Sequence, residues 1–183
     1  MKVITGIAGG RKLKSPSGSE IRPTADQVKQ AVFNILQFDL EGRRVLDLFG
    51  GSGQLGIEAL SRGATEAVFV DSSRKALSLI RENLDLCRLK GKLVQSDALN
   101  YLSRGERFDL IFVDPPYDAG LYLPVLQRIN AVDNLNEGGI IICETRAETE
   151  LPDLSAPYMR VKERRYGSVK ICMYTRNANE YRI

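Results

Sequence analysis

Val45-Leu46-Asp47-Leu48-Phe49-Gly50-Gly51-Ser52-Gly53-Gln54-Leu55-Gly56 joins a short apolar run, a glycine cluster and the opening of a helical pattern. It reads as a buried strand over 45–49, a tight turn over Gly50-Gly51-Ser52-Gly53 and a helix over 54–62 that stops at Arg62-Gly63. Glycines at such a turn let the chain reverse sharply and bring bare backbone against a ligand. The same beat continues downstream. Ala67–Asp71 reads as a second strand, and 73–88 as a helix with Ala76, Leu77, Ile80, Leu84 and Cys87 on its apolar stripe. Lys92–Gln95 is a third strand, 97–104 a short helix, Asp109–Val113 a fourth strand, 119–131 a helical stretch and Ile140–Glu144 a fifth strand. Short apolar strands alternating with helices predict a parallel sheet covered on both faces. The rhythm then changes: Met159–Lys162 and Val169–Tyr174 flank Tyr166-Gly167 and predict an antiparallel pair that closes the sheet. Upstream, residues 1–23 read as a basic arm or hairpin. A helix follows from Thr24, with Gln27 at capping-box spacing and Val28, Ala31, Val32, Ile35 and Leu36 on one face.

A chain of 183 residues fits one domain, here the arm 1–23 and a core 24–183. An apolar fraction of 43% and a charged fraction of 27% are those of a soluble globular protein. No apolar run approaches a membrane span, and Met1-Lys2-Val3-Ile4-Thr5-Gly6 lacks a signal-peptide core, so a cytoplasmic protein with no membrane partner is expected. Cys87, Cys143 and Cys172 are too few and too far apart for a disulfide framework, and the last two read as buried strand residues. The absence of histidine removes the commonest general base and excludes a serine–histidine triad and a His-bearing zinc site; no metal is expected. Charge is uneven. Lys2, Arg11, Lys12, Lys14, Arg22 and Lys29 face only Glu20 and Asp26 in residues 1–30. Arg160, Lys162, Arg164, Arg165, Lys170, Arg176 and Arg182 face only Glu163 and Glu180 in residues 160–183. Basic ends around an acidic body suit a polyanionic partner, although solvated surface charge gives the same pattern.

Asp71 ends the second strand, where a carboxylate can accept both hydroxyls of a ribose. Gly51-Ser52-Gly53-Gln54-Leu55-Gly56 fits G-x-G-x-x-G, which leaves a dinucleotide open. Asp47, just before the turn, argues otherwise: a carboxylate there repels a pyrophosphate and favours the ammonium of a methionine moiety. Asp97 follows the third strand, placed to accept from an adenine amino group; a helix cap is the other role open to it. Asp47, Asp71 and Asp97 together resemble the S-adenosylmethionine site of Rossmann-like methyltransferases. Phe49, Gly51, Gly53, Ser72, Ala98 and Asp114 complete the candidate cofactor residues.

Asp114-Pro115-Pro116-Tyr117 immediately follows the fourth strand, at the end of a parallel sheet where sites gather. An exocyclic amino nitrogen of a base is a poor nucleophile because its lone pair is delocalised into the ring. A carboxylate and a carbonyl that accept its two hydrogens turn that lone pair toward a methyl donor. Asp114 and the Pro115 carbonyl fit those roles; Pro116 helps to stiffen the loop before the base arrives, and Tyr117 offers a ring for stacking. The nitrogen becomes acidic after attack, so no strong general base is required.

The tract Asp47–Ala64, Arg22-Pro23-Thr24 with its helix, Phe108-Asp109 leading to Asp114-Pro115-Pro116-Tyr117, and Tyr166-Gly167 are collinear over about residues 4–175. They resemble the bacterial 16S rRNA guanine-N2 methyltransferase family of the RsmD type. The tract Glu58–Ala64 is particular to that family, which also commonly has Phe at the position of Phe49. The resemblance implies a class I Rossmann-like fold with a mostly parallel seven-stranded sheet and antiparallel C-terminal strands. It implies methyl transfer from S-adenosylmethionine, leaving S-adenosylhomocysteine, to N2 of a guanine of the guanine-966 type in 16S rRNA. The expected substrate is a partly assembled small subunit, the enzyme a monomer, with Arg11, Lys12, Lys14, Arg22 and Thr24 on the RNA. Four alternatives stay open at this point. An N6-adenine or N4-cytosine DNA methyltransferase would share the loop but has no evident recognition domain here. A C5-pyrimidine enzyme needs a cysteine near the loop, which is lacking. A nicotinamide enzyme would use the glycine turn, and an RNA-binding assembly factor could sit on an inactive methyltransferase fold.

Overall fold

The structure is a computed structural model that describes residues 1–16, 23–36 and 40–177, with only the backbone of 23–26. Helix α1 (Pro23–Ile35) begins with Pro at its first position, where the missing N–H costs nothing and the fixed φ suits a helix. Five parallel strands follow: β1 (Arg44–Asp47), β2 (Glu66–Asp71), β3 (Lys92–Gln95), β4 (Phe108–Val113) and β5 (Leu135–Arg146). They are joined by α2 (Gln54–Ser61), α3 (Arg74–Cys87), α4 (Ala98–Leu102) and α5 (Tyr122–Val132). The chain ends in an antiparallel hairpin, β6 (Tyr158–Tyr166) and β7 (Val169–Arg176). The seven-stranded order is β3-β2-β1-β4-β5-β7-β6, so the last strand inserts between β5 and β6. The strand order reverses between β1 and β4, and the crevice above that switch point is where such sheets take ligands.

Each face of the sheet holds its own core. One packs α1, α2 and α3 around Val45, Phe69, Phe112 and Ile142; the other packs α4 and α5 around Leu46, Val68, Ile111 and Cys143. Strands covered on both faces bury consecutive residues, which is why Leu110–Val113 and Val169–Thr175 are buried without alternation. Gly56 and Gly91 both leave room for Phe69: a Cβ at either would come within 2.5 Å of its ring. Gly56, the last glycine of the sequence match, therefore serves helix–strand packing. Cys87, Cys143 and Cys172 are free and buried, and Cys143 lies opposite Cys172 across β5 and β7.

The element boundaries differ from the sequence expectation at several ends, among them β6, which runs Tyr158–Tyr166 rather than Met159–Lys162. The fifth strand runs from Leu135 rather than Ile140, because a register shift between Phe108 and Leu110 absorbs the Gly138-Gly139 kink. The helix expected over 97–104 is only Ala98–Leu102. A 3-10 turn, Tyr117–Ala119, precedes α5, which starts at Tyr122.

The N-terminal segment folds back on itself through a bridge between Lys2 and Lys12 and docks on the α2 side, burying Val3, Ala8 and Leu13. Its anchor is Glu58, whose side chain is 0% exposed. Ile4 N donates to Glu58 Oε2 at 2.6 Å and Thr5 N to Oε1 at 3.0 Å. Arg62 Nε closes on Oε1 at 2.8 Å, and Lys29 Nζ, also buried, lies 3.8 Å from Oε2. Ser61 adds an acceptor for Ala8 N. The tract Glu58–Arg62 is thus a clamp for residues 4–8. Among the described residues no helix is long and apolar enough to cross a membrane.

Candidate active site

The carboxyl ends of β1, β2, β3 and β4 open into one cavity of about 580 Å³. Asp47, Phe49, Gly51, Asp71, Ser72, Asp97, Ala98, Asp114, Pro115, Pro116 and Tyr117 all line it, so the sequence candidates for cofactor and catalysis converge. Gly53 does not line the cavity. It takes φ +78° as the residue before α2 and packs against Ile80. Gly51, at φ +54°, faces open space, where a Cβ would meet the protein only at 3.8 Å. Gly51 also lines the cavity, so a ligand there can approach its backbone.

Each acid sits differently. Asp71 Oδ2 accepts from Gly51 N at 2.9 Å and Oδ1 from Ser73 N at 2.8 Å, which ties the turn after β1 to the end of β2. A carboxylate has about four lone-pair sites, so two remain for ligand hydroxyls. Asp97 is the cap of α4: its oxygens accept from Asn100 N at 3.0 Å and from the Asn100 amide, while it still borders the cavity. Asp47 is buried and accepts from Gly56 N at 3.0 Å; burial, and to a lesser degree the charge of Asp71, pushes its carboxyl up to about 7.

Asp114 has no hydrogen-bond donor among the described residues. Burial, then the charges of Glu144 and Asp47, hold its carboxyl well above the usual carboxylate range. The register of the sheet explains this: β4 and β5 pair Val113 with Cys143, so the next residues, Asp114 and Glu144, are neighbours. Glu144 is also raised by burial, opposed by a 3.4 Å hydrogen bond from the Tyr117 hydroxyl. The Arg146 guanidinium lies over the Tyr117 ring at 5.4 Å and is itself held by both oxygens of Asp118. Tyr122 gives its single hydroxyl hydrogen chiefly to the Glu144 carbonyl at 2.6 Å, with the Pro115 carbonyl a long second acceptor at 3.4 Å that has two lone pairs. The Pro115 carbonyl therefore keeps its accepting capacity.

Glu144, Tyr122, Arg146 and Gln54 were not singled out from the sequence. The signal for Glu144 was present: like Asp71, it is an acid that ends an apolar strand run. Gln54 lies in the cavity wall with its Oε1 buried and unpartnered among the described residues. The basic candidates lie elsewhere. Arg11 donates to Leu86 O near the far end of α3, roughly 20 Å along the helix from its start beside Asp71. Lys12 is exposed, and Lys14 pairs with Glu82 at 2.7 Å. Arg22 and the side chain of Thr24 lie outside the described residues.

Known proteins resemble this chain over nearly its whole length. Escherichia coli "Ribosomal RNA small subunit methyltransferase D" is 32% identical over 97% of this chain and 91% of its own length. The Bacillus subtilis protein YlbH is 38% identical over 95% of this chain and 98% of its own. The solved structure of yhhF from Escherichia coli superposes with a TM-score of 0.86 at 33% identity, covering 98% of this chain and 99% of that one. The family described as "Conserved hypothetical protein 95" matches residues 1–175. The chain belongs to this family, the RsmD family of small-subunit rRNA methyltransferases, on the class I methyltransferase fold.

Proposed function

We propose that this protein transfers a methyl group from S-adenosylmethionine to the exocyclic N2 of a guanine of the guanine-966 type in 16S rRNA, acting as a monomer on a partly assembled small subunit in the cytoplasm. One observation carries the reading. Asp114, half-buried and without a donor among the described residues, shares a cavity wall with the glycine turn and Asp71.

The cavity suits the cofactor. Asp47, its carboxyl raised by burial and by the charge of Asp71, is placed where a cationic ligand group relieves it. Gln54 Oε1 is a buried acceptor in want of a donor. Asp71 keeps acceptor sites for a ribose, and the open space beside Gly51 lets a ligand approach backbone. Leu48, Leu99 and Leu121 supply apolar wall for a purine ring. When bound, S-adenosylmethionine supplies an electrophilic methyl group on a sulfonium.

This chain then has three tasks. Asp114 and the Pro115 carbonyl accept the two amino hydrogens and turn the nitrogen lone pair toward the methyl. Pro115 and Pro116 hold these acceptors in place before the base arrives, which lowers the ordering cost of the reacting geometry. Tyr117, fixed by Glu144 and Arg146, stacks the base on the face away from Arg146. The methylated nitrogen is acidic and loses its proton after transfer. The RNA contacts assigned to Arg11, Lys12, Lys14, Arg22 and Thr24 belong to the same proposal. Mass mapping of small-subunit rRNA from cells lacking the gene tests the function: a missing N2-methylguanine returns on complementation. An unchanged modification profile would refute it.

A further inference from the structure

The amino-transfer loop by itself does not choose among bases, since guanine, adenine and cytosine all carry an exocyclic amino group. What differs is the ring nitrogen beside that group. Guanine has a second donor there, N1–H. Adenine and cytosine have a bare lone pair. A site that selects guanine therefore needs one more acceptor next to the amino acceptors, on the same face and within the width of a base edge.

The sheet supplies that acceptor. Parallel neighbours β4 and β5 place Val113 beside Cys143, and both of these pack into the core on the α4–α5 face. Side chains alternate along a strand, so Asp114 and Glu144 leave together toward the opposite face, one strand spacing of about 4.8 Å apart. Glu144 has no cationic partner among the described residues; Arg146, two residues on, is engaged by Asp118. Among the described residues, the one hydrogen bond to its carboxylate comes from the Tyr117 hydroxyl at 3.4 Å. That contact orients Oε1 and leaves the rest of the carboxylate's accepting capacity unused. Tyr122 secures the backbone beneath it, donating at 2.6 Å to the Glu144 carbonyl from the same helix that follows the catalytic loop. A half-buried carboxyl group held this way, beside a second one, is costly unless a ligand brings N–H donors to it.

We propose that Glu144 is the residue that selects guanine: its carboxylate accepts the ring N1–H while Asp114 and the Pro115 carbonyl accept the hydrogens of N2. An adenine or cytosine in the same pose sets a lone pair against the Glu144 carboxylate and is rejected. The assignment rests on the amino-methylation reading above and deepens it, from any exocyclic amino group to that of guanine.

The test uses 2-aminopurine, which keeps the 2-amino group and replaces N1–H by a lone pair. Small subunits are reconstituted with 16S rRNA carrying either guanine or 2-aminopurine at the modified position, and methyl transfer is followed with the full-length wild type and with Glu144→Gln. Wild type is expected to favour guanine by at least about tenfold in kcat/KM, the loss that accompanies one charge-assisted hydrogen bond. Glu144→Gln, whose amide can turn its N–H toward a bare N1, is expected to lose activity on guanine and to bring the two substrates within about threefold, with S-adenosylmethionine affinity unchanged by calorimetry. Equal use of the two bases by wild type overturns the proposal without reference to any variant's folding. So does a Glu144→Gln enzyme that keeps the full preference for guanine. Absence of transfer to either subunit by wild type overturns the underlying methylation reading instead, and this assignment with it.

Discussion

The backbone N–H of Gly51 donates to Asp71 Oδ2 at 2.9 Å, so the carboxylate proposed to hold a ribose is also the tie that sets the glycine turn. Asp71→Ala removes the acceptor proposed for a ribose and leaves Gly51 N and Ser73 N without their acceptor. S-adenosylmethionine affinity is expected to fall about tenfold or more. Calorimetry checks this, and unchanged affinity would remove Asp71 from the site.

Asp114→Ala takes away the acceptor proposed for the reacting nitrogen and breaks no side-chain hydrogen bond among the described residues. Single-turnover methyl transfer is expected to drop by about 10²–10³ or more, with cofactor affinity kept. Full activity in this variant would end the mechanism proposed for the loop.

Asp47 titrates at about 7 in the folded protein, against 3.8 for an ordinary aspartate. Between those values the folded state holds a proton that the unfolded state has released, so stability without cofactor falls as pH rises through the window. Asp47→Asn keeps a neutral acceptor for Gly56 N and removes that slope. Denaturant titrations are expected to show the variant gaining roughly a few kcal/mol on wild type by pH 8, with the difference closing toward pH 4. A constant difference across that range would contradict the assignment.

Glu58→Ala strips a buried carboxylate from Ile4 N, Thr5 N and Arg62. The loss of stability is expected to be about 3–5 kcal/mol, because charged and polar partners stay buried without it. Amide exchange should rise first in residues 3–8. A stability change below about 1 kcal/mol would show that the clamp contributes little.

The strand–turn–helix beat was legible because each parallel strand is a short apolar run ended by a turn, and the acids at the ends of β1, β2 and β4 converge as their positions implied. Asp97 shows the limit: an acid before a helix reads the same whether it meets a ligand or caps the helix, and here its oxygens go to Asn100. Glu144 ends an apolar run as Asp71 does, but its neighbourhood with Asp114 comes from the β4–β5 register, which no local pattern encodes. Gly53 and Gly56 matched a ligand motif, yet the space they leave is filled by Ile80 and Phe69. The extent of β5 was missed because Gly138-Gly139 reads as a break, whereas a register shift against β4 accommodates it.

The hold of Glu58 and Ser61 on residues 4–8 has a consequence for biosynthesis. The backbone donors of Ile4, Thr5 and Ala8 are made 53 or 54 residues before the side chains that accept from them. At roughly 5–20 residues per second, they wait several seconds during translation before α2 exists. Residues 4–8 are therefore unable to take their final position until the middle of the sheet is under way, and their docking reports that α2 has formed.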